Sequence, residues 1–137
     1  MQIRKLSVDD REAFLNLLSQ LTQVGEISKE AFLERLHVTD NMVYVIELDG
    51  LLVGTGSLLI ERKFIHECGL VGHIEDVVVN TQYRGQGLGR ILIEFLTNLA
   101  REAGCYKVIL DASEEKAAFY ERCGFVRKNC GMALYLM

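Results

Sequence analysis

The sequence predicts an α/β fold, a mixed, mostly antiparallel sheet flanked by helices. The first observation is a hairpin, because two runs rich in β-branched and aromatic residues, 42–48 and 51–60, are joined by Asp49-Gly50, a dipeptide that favours tight turns. The second is a strand–helix–strand unit, since a strand at 73–79, a long amphipathic helix and a strand at 106–110 follow one another. Such a unit forms a right-handed parallel crossover, which makes the sheet mixed.

Length and composition predict one globular domain over residues 1–137. Half of this length would make a marginal domain, and neither a proline nor a Ser/Gly-rich linker divides the chain. Hydrophobic residues make up 50% and charged residues 25%, which excludes a mainly disordered chain. No apolar run approaches about 18 residues, so we expect no membrane span. A net charge of -4 argues against a general nucleic-acid binder.

The cysteines and histidines predict neither a disulfide framework nor a metal site. The four cysteines form no Cys-x-x-Cys pair, and the three histidines lack the spacing of zinc ligands. The chain reaches Asp9 and Asp10 too early for a signal peptide. We therefore expect reduced thiols, no metal and a cytoplasmic protein.

The N-terminal third predicts one strand and two helices. Residues 3–6 fit a short strand, and Ser7 with Asp10 matches an N-terminal helix cap. Apolar residues at helical spacing predict a first helix that ends at Gly25, namely Phe14, Leu17, Leu18 and Leu21. Ser28 caps a second short helix, which would bury Phe32, Leu33 and Leu36.

Beyond the hairpin, residues 61–72 predict a polar loop that leads to the next strand. The long helix that follows ends at Gly104, and its apolar face consists of Leu92, Phe95, Leu96 and Leu99. A short helix over Glu114–Arg122 ends at Gly124, and we expect two closing strands, at 125–126 and 132–136.

The most informative stretch runs from a strand through a glycine-rich turn into a helix. Gly85, Gly87 and Gly89 alternate along this turn, with Arg84 and Arg90 beside it. Glycine permits a close approach of a ligand, and the amide groups at a helix N-terminus attract anions such as a pyrophosphate. Neither a G-x-G-x-x-G motif nor a Walker A loop is present. The alternative is a tight turn that uses glycine for geometry alone.

Two segments carry a resemblance to a known superfamily. Residues 82–89 resemble the acetyl-coenzyme A loop of the GCN5-related N-acetyltransferases (GNAT), and residues 118–125 resemble their short helix ending in Phe-Tyr…Gly-Phe. Four further segments are similar to the glucosamine-6-phosphate N-acetyltransferase family, at residues 21–25, 61–66, 72–77 and 104–107. The resemblance implies the GNAT fold over the whole chain.

This resemblance implies an enzyme that moves an acetyl group from acetyl-CoA to the 2-amine of glucosamine 6-phosphate, a step toward UDP-N-acetylglucosamine. It also implies direct attack in a ternary complex, and a homodimer with substrate sites near the subunit interface. Two alternatives stay open. One is a GNAT enzyme for another small amine or a protein amine, and the other is a non-catalytic acyl-CoA-binding sensor.

Three residues are candidates for the chemistry. Tyr120 matches the family's hydroxyl that meets the coenzyme sulfur, so we expect a general acid or thiolate stabiliser; the alternative is a packing residue. Asp111 matches an acidic residue that acts as a base or amine ligand; the alternative is a helix cap. Glu75 is the other candidate base. A sugar 2-amine titrates near neutrality, so a weak base suffices.

Several polar residues are candidate substrate contacts. Glu75 and Asp76 are adjacent in a strand, where successive side chains point to opposite faces, so we expect only one to face a given pocket through its side chain. The resemblance assigns both to substrate or water positioning. It also makes Thr22 a sugar contact, the alternative being a hydroxyl bonded to its own backbone.

The sugar phosphate requires a basic group. The nearest candidates are Arg62, Lys63 and His66, which could also be part of a solvated loop. The chain departs from the family pattern at two places. Lys116 stands where many superfamily members carry Asn, and could reach a phosphate or face solvent. The C-terminus lacks the arginine that helps some relatives to bind the sugar phosphate.

For acetyl-CoA, the resemblance assigns backbone groups of Val77, Val78 and Val79 to the pantetheine arm, paired like an added strand. These β-branched residues would otherwise be core. The remaining cofactor contacts are Tyr120 and the glycine turn with its neighbours, namely Arg84, Gly85, Gln86, Gly87, Leu88, Gly89 and Arg90.

Overall fold

The computed structural model describes residues 1–38 and 42–137. Five strands form one sheet in chain order, in which the last pair is parallel and every other pair is antiparallel. The strands are β1 Gln2–Lys5, β2 Val43–Leu48, β3 Leu51–Arg62, β4 Leu70–Val79 and β5 Cys105–Ile109. This mixed sheet confirms the predicted fold class.

Helices cover both faces of the sheet. They are α1 Arg11–Leu18, α2 Lys29–Val38, the one-turn α3 Ile65–Cys68, α4 Leu88–Ala103 and α5 Glu114–Arg122. Alternate residues of β2 point to opposite faces and join different clusters. Tyr44 and Ile46 pack with Leu92 of α4, whereas Val45 packs with Phe32 of α2. No described helix is long and apolar enough to cross a membrane.

Several elements form where local sequence signals place them. Asp49 and Gly50 have φ values of 51° and 79°, and a type I′ hairpin turn needs positive φ at both positions. At the start of α2, the N–H of Ala31 donates a hydrogen bond to Oγ of Ser28 at 3.1 Å, as expected for an N-cap. Helix α5 has the predicted bounds.

Other boundaries differ from the prediction. Helix α1 ends at Leu18 rather than near Gly25, and the Ser19 hydroxyl there donates to the carbonyl of Asn16 at 2.5 Å, a local bond that competes with helix continuation. Leu33 is partly exposed rather than buried. The loop predicted over 61–72 is also shorter, because β3 continues to Arg62 and β4 begins at Leu70.

The predicted closing strands at 125–126 and 132–136 are wrong for the single chain. Residues 125–137 contain no strand, and the side chains of Met132, Leu134, Tyr135 and Leu136 are more than four-fifths exposed. The composition favours strand, but a strand needs a neighbour for its backbone hydrogen bonds. Among the described residues this segment, called here the C-terminal tail, has no strand beside it.

The sheet opens between β4 and β5. Strand β4 pairs with β3 along its whole length, but with β5 only from Leu70 to His73. Residues 74–79 of β4 therefore have a free edge on the β5 side. This opening positions the candidate site.

Candidate active site

A cavity of about 370 Å³ occupies the opening between β4 and β5. It brings together polar residues from distant parts of the chain. Thr22 comes from the segment after α1, two carboxylates from β4, Asp111 from the end of β5, and Tyr120 from α5. Every one of these side chains was a candidate in the sequence. Leu21, Leu110, Ala112 and Ser113 also line the cavity, and no sequence pattern marked them as site residues.

Glu75 and Asp76 both line the cavity, at a point where β4 departs from the regular alternation on which the expectation of a single facing side chain was based. Thr55 pairs with Val78 and Ser57 with Glu75, so β4 has one extra residue at this point. Asp76 there has a φ of 50°. This β-bulge interrupts the alternation of side chains, which the sequence does not reveal. A positive φ is unfavourable for a non-glycine residue.

Asp111 stands in the short connection between β5 and α5. Ser113, rather than Asp111, occupies the N-cap position of α5, which removes the helix-capping alternative. The Asp111 carboxylate has no hydrogen bond or ion pair within the described chain. Its neighbour is the C-terminal tail, because a Cβ added at Gly131 would lie 3.3 Å from Asp111 Oδ1. Its oxygens therefore remain able to accept hydrogen bonds from a ligand.

Tyr120 is a half-buried phenol on the cavity wall. Its ring packs edge-on against Phe119 and Phe125, with centroid distances of 5.0 and 6.0 Å. Burial, with a smaller contribution from Cys123, raises the pKa of the Tyr120 hydroxyl above its usual value. The hydroxyl has no hydrogen-bond partner within the described chain. Tyr120 therefore both packs and presents a protonated donor to the cavity.

The glycine turn precedes α4 and has the geometry of an anion site. Gly85 and Gly87 have φ values of 83° and 79°, and no side chain caps the start of α4. The first N–H groups of the helix thus lack partners and carry the positive end of its dipole. Arg84 Nε donates to the carbonyl of Val79 at 2.9 Å, which ties the turn to the end of β4. Arg90 pairs with Glu94 at 3.1 Å.

The turn and the cavity are connected along the protein surface. A Cβ added at Gly89 would lie 3.2 Å from the ring of Phe119, so the start of α4 contacts α5 beside Tyr120. The free edge of β4, which includes Val77, Val78 and Val79, lies between the turn and the cavity along the chain. A long ligand with an anionic end fits these features, since anion site, free strand edge and cavity follow one another.

The basic candidates Arg62, Lys63 and His66 do not line this cavity. They lie at the opposite end of β4, separated from Glu75 by the segment that begins at Leu70, about 17 Å of strand. There the His66 ring stacks on Tyr106 at a centroid distance of 4.1 Å. Lys107 Nζ lies 5.8 Å from the centre of the Tyr106 ring. This group of His66, Tyr106 and Lys107 with the nearby Lys63 is called here the Tyr106 cluster.

Comparison with known proteins identifies the family of the chain. Residues 9–125 match the model of the acetyltransferase (GNAT) family. A glucosamine 6-phosphate N-acetyltransferase from Arabidopsis thaliana is 44% identical over 98% of this chain and 95% of its own length. One from Candida albicans is 47% identical over 89% of this chain and 87% of its own.

A solved structure supports the same relationship. The crystal structure of glucosamine-6-phosphate N-acetyltransferase from Arabidopsis thaliana has 43% identity and a TM-score of 0.95, covering 99% of this chain and 98% of the other. The chain therefore belongs to the acetyltransferase (GNAT) family and, within it, to the glucosamine 6-phosphate N-acetyltransferases.

Proposed function

We propose that the chain transfers an acetyl group from acetyl-CoA to the 2-amine of glucosamine 6-phosphate, by direct attack in a ternary complex. The product, N-acetylglucosamine 6-phosphate, is a step toward UDP-N-acetylglucosamine. The observation that carries the proposal is the cavity at the β4–β5 opening, where Asp111, Glu75 and Tyr120 meet. Amide formation from a thioester is helped by a base for the amine and a proton donor for the leaving sulfur, and these residues offer both.

The chain's own residues fit acetyl-CoA as cosubstrate. The unpaired amides of the glycine turn and of the first turn of α4 suit the pyrophosphate. Backbone groups of Val77, Val78 and Val79 on the free edge of β4 suit the amides of the pantetheine arm, in the manner of an added strand. When the pyrophosphate of acetyl-CoA lies on the turn and its pantetheine arm lies along β4, its thioester enters the cavity beside Tyr120.

The chemistry then needs two proton movements. The neutral 2-amine attacks the thioester carbonyl carbon, so a C–N bond forms and the carbonyl electron pair moves to oxygen. When the carbonyl re-forms, the C–S bond breaks and its electron pair stays on sulfur. Tyr120 donates its proton to that sulfur, and Asp111 or Glu75 accepts, directly or through water, the proton that the nitrogen loses.

Direct attack is favoured over an acetyl-enzyme. No cysteine is among the described residues that line the cavity. The nearby Cys123 is partly buried, and burial raises the pKa of its thiol, which keeps it protonated and weakly nucleophilic. All four cysteines are free thiols, and we place the reaction in the reducing cytoplasm.

A homodimer explains the exposed C-terminal tail. The apolar side chains of its last part, residues 132–136, pack on no element of the described chain, and β5 is the last strand of the sheet, with Tyr106 and Ile109 more than a third exposed. Exposed strand edges pair readily with other strands. We propose that the occupant is a second copy of this chain, whose tail supplies the missing neighbour. Deleting residues 132–137 should give a monomer by light scattering, while a dimer that persists would contradict this assignment.

The phosphate contact also points to a second copy. The Tyr106 cluster is the basic group that sequence reasoning selected in part, but in one chain it lies about 17 Å of strand away from Glu75. We propose that Lys63 and His66 reach the sugar phosphate across the dimer interface. Lys107 is an additional cation of this group that the sequence alone did not single out.

The test is thiol release from acetyl-CoA with glucosamine 6-phosphate, glucosamine or spermidine as acceptor. We expect a large preference for the phosphorylated sugar. A specific feature favours one competitor, because three carboxylates in the cavity suit a cationic acceptor such as a polyamine. Turnover with spermidine alone would replace the proposed acceptor. Binding of acetyl-CoA without acetylation of any amine would favour a non-catalytic sensor.

A further inference from the structure

We propose that the ammonium group of Lys116 favours the neutral, nucleophilic form of the amine bound at the acceptor site. The inference rests on the proposed function, since it concerns the amine that accepts the acetyl group. It starts from a charge imbalance. The cavity is lined by three carboxylates, Glu75, Asp76 and Asp111, and Lys116 is the one Lys or Arg among its described lining residues.

The Lys116 ammonium is not neutralised by the protein. It forms no ion pair or hydrogen bond with the described part of the chain. Side chains three or four residues apart are neighbours on a helix, and the residues at those distances along α5 are Phe119 and Tyr120, neither of which is acidic. Glu114 is held instead by Arg127 at 2.8 Å. The charge of Lys116 is therefore available to the cavity that it lines.

The position of Lys116 along α5 places it on the acceptor side of Tyr120. The glycine turn approaches the C-terminal half of α5, because a Cβ added at Gly89 would lie 3.2 Å from Phe119, and the charges of Arg90 and Glu94 act on Cys123. Lys116 lies one helical turn before Tyr120, toward Asp111. A cosubstrate that enters from the glycine turn meets Tyr120 first, and the acceptor amine lies beyond it.

The effect on the pKa of a bound amine follows from the charges of the residues that line the cavity. Glu75 and Asp76 on β4 and Asp111 after β5 each stabilise an ammonium ion and so raise the pKa of a bound amine. Leu21 and Thr22 on the remaining wall are uncharged, and Tyr120 is protonated. A protonated amine has no lone pair for attack. The cation of Lys116 opposes the carboxylates and increases the fraction of acceptor that is nucleophilic near neutral pH.

The test compares pH profiles of kcat with acetyl-CoA and the acceptor both saturating, because kcat reports the ionisations in the bound complex, including that of the bound amine. Replacing Lys116→Gln should move the midpoint of the acidic limb up by about 0.5 to 1 pH unit, while the high-pH plateau changes little. Lys116→Arg keeps the charge and should restore the wild-type midpoint. Lys29→Gln is the matched control, since Lys29 is an exposed lysine in the first turn of α2, away from the cavity.

Salt provides a second readout. The Debye length falls to about 3 Å at 1 M salt, so the difference in midpoint between Lys116→Gln and wild type should shrink there. An unchanged midpoint in Lys116→Gln, with turnover reduced equally at every pH, would indicate a structural role and overturn the inference.

The wild-type assay separates this inference from the proposed function. If the wild type acetylates spermidine and not the sugar, the proposed acceptor fails, and the same profiles are measured with spermidine. A shifted midpoint there would still support the role of Lys116, and an unshifted one would overturn it. A wild type that acetylates no amine overturns both.

Discussion

The two halves of β4 differ in how many neighbouring strands they pair with. From Leu70 to His73 the strand is hydrogen-bonded to β3 on one side and β5 on the other, and Val71 is fully buried. From residue 74 onward only β3 remains as a partner. Glu75 and Asp76 are exposed there, and Asp76 has a positive φ. The first half therefore belongs to the sheet, and the second half to the candidate site.

Backbone and side-chain groups that folding leaves without a protein partner are the ones available to bind a ligand. Buried backbone groups must find partners, so a free strand edge is tolerated only where solvent or a ligand can reach it. The carboxylates of Glu75, Asp76 and Asp111 likewise have no protein partner in the described chain. In one strand, complete pairing gives stability and incomplete pairing leaves groups free for a substrate.

The largest effect is expected at Tyr120 in the open half. Tyr120→Phe should reduce kcat by about 100-fold or more, because general acids contribute about 10²- to 10⁴-fold, while KM for acetyl-CoA changes little. Thiol release measures both. Tyr44→Phe is the matched control, since Tyr44 is a buried tyrosine on β2 outside the cavity. Unchanged turnover in Tyr120→Phe would refute the assignment of Tyr120 as the acid.

A substitution in the paired half of β4 should change the stability of the protein instead of its activity. Val71 lies in the paired half of β4 and is fully buried. Val71→Ala should lower the free energy of unfolding by about 2 to 3 kcal/mol, measured by urea denaturation. Leu110→Ala, at the half-buried edge of the cavity, should cost only about 1 kcal/mol. Equal losses would contradict the proposed division of the molecule.

A paired and an unpaired carboxylate give a sharper contrast. Asp10 accepts two hydrogen bonds from Arg4, at 2.8 and 3.0 Å, whereas Asp111 accepts none. Asp10→Asn should lower the free energy of unfolding by about 1 to 2 kcal/mol at pH 7 and leave kcat unchanged. Asp111→Asn should reduce kcat strongly with little effect on unfolding. Asp9→Asn serves as the exposed control for Asp10.

The Asp10 contribution should depend on pH in a defined direction. The hydrogen bonds from Arg4 lower the pKa of the Asp10 carboxyl below its usual value. Its stabilisation is thus complete above the unfolded pKa of about 3.9 and is lost as pH falls through the folded pKa. Urea denaturation at pH 7 and pH 3 should show the Asp10→Asn difference shrinking at low pH. A constant difference would contradict this origin.

The smallest effect is expected at the bulge. Asp76→Gly removes the cost of a positive φ and should raise the free energy of unfolding by about 0.5 to 1 kcal/mol, while lowering acceptor turnover. Val79→Gly on the same strand, where φ is not positive, should destabilise the protein instead. A stabilised Asp76→Gly with full activity would remove Asp76 from the site.

Elements that depend on local chemistry could be predicted from the sequence. Asp49-Gly50 specifies a hairpin because both residues tolerate positive φ, Ser28 caps α2 with its own hydroxyl, and the alternating glycines mark the turn before α4. Asp111 and Tyr120 were found because the resemblance attached roles to their positions. For the hairpin, the cap and the glycine turn, the deciding interaction lies within a few residues of the chain.

Features that depend on a neighbouring element could not be predicted from the sequence. The bulge at Asp76 depends on the register against β3, so the regular alternation assumed for Glu75 and Asp76 does not hold there. The C-terminal tail has the composition of a strand but no strand beside it among the described residues. Lys63 and His66 lie far from Glu75 because β4 runs between them. Strand pairing and the distances between side chains depend on segments that are remote in sequence. Composition and local patterns therefore do not predict them.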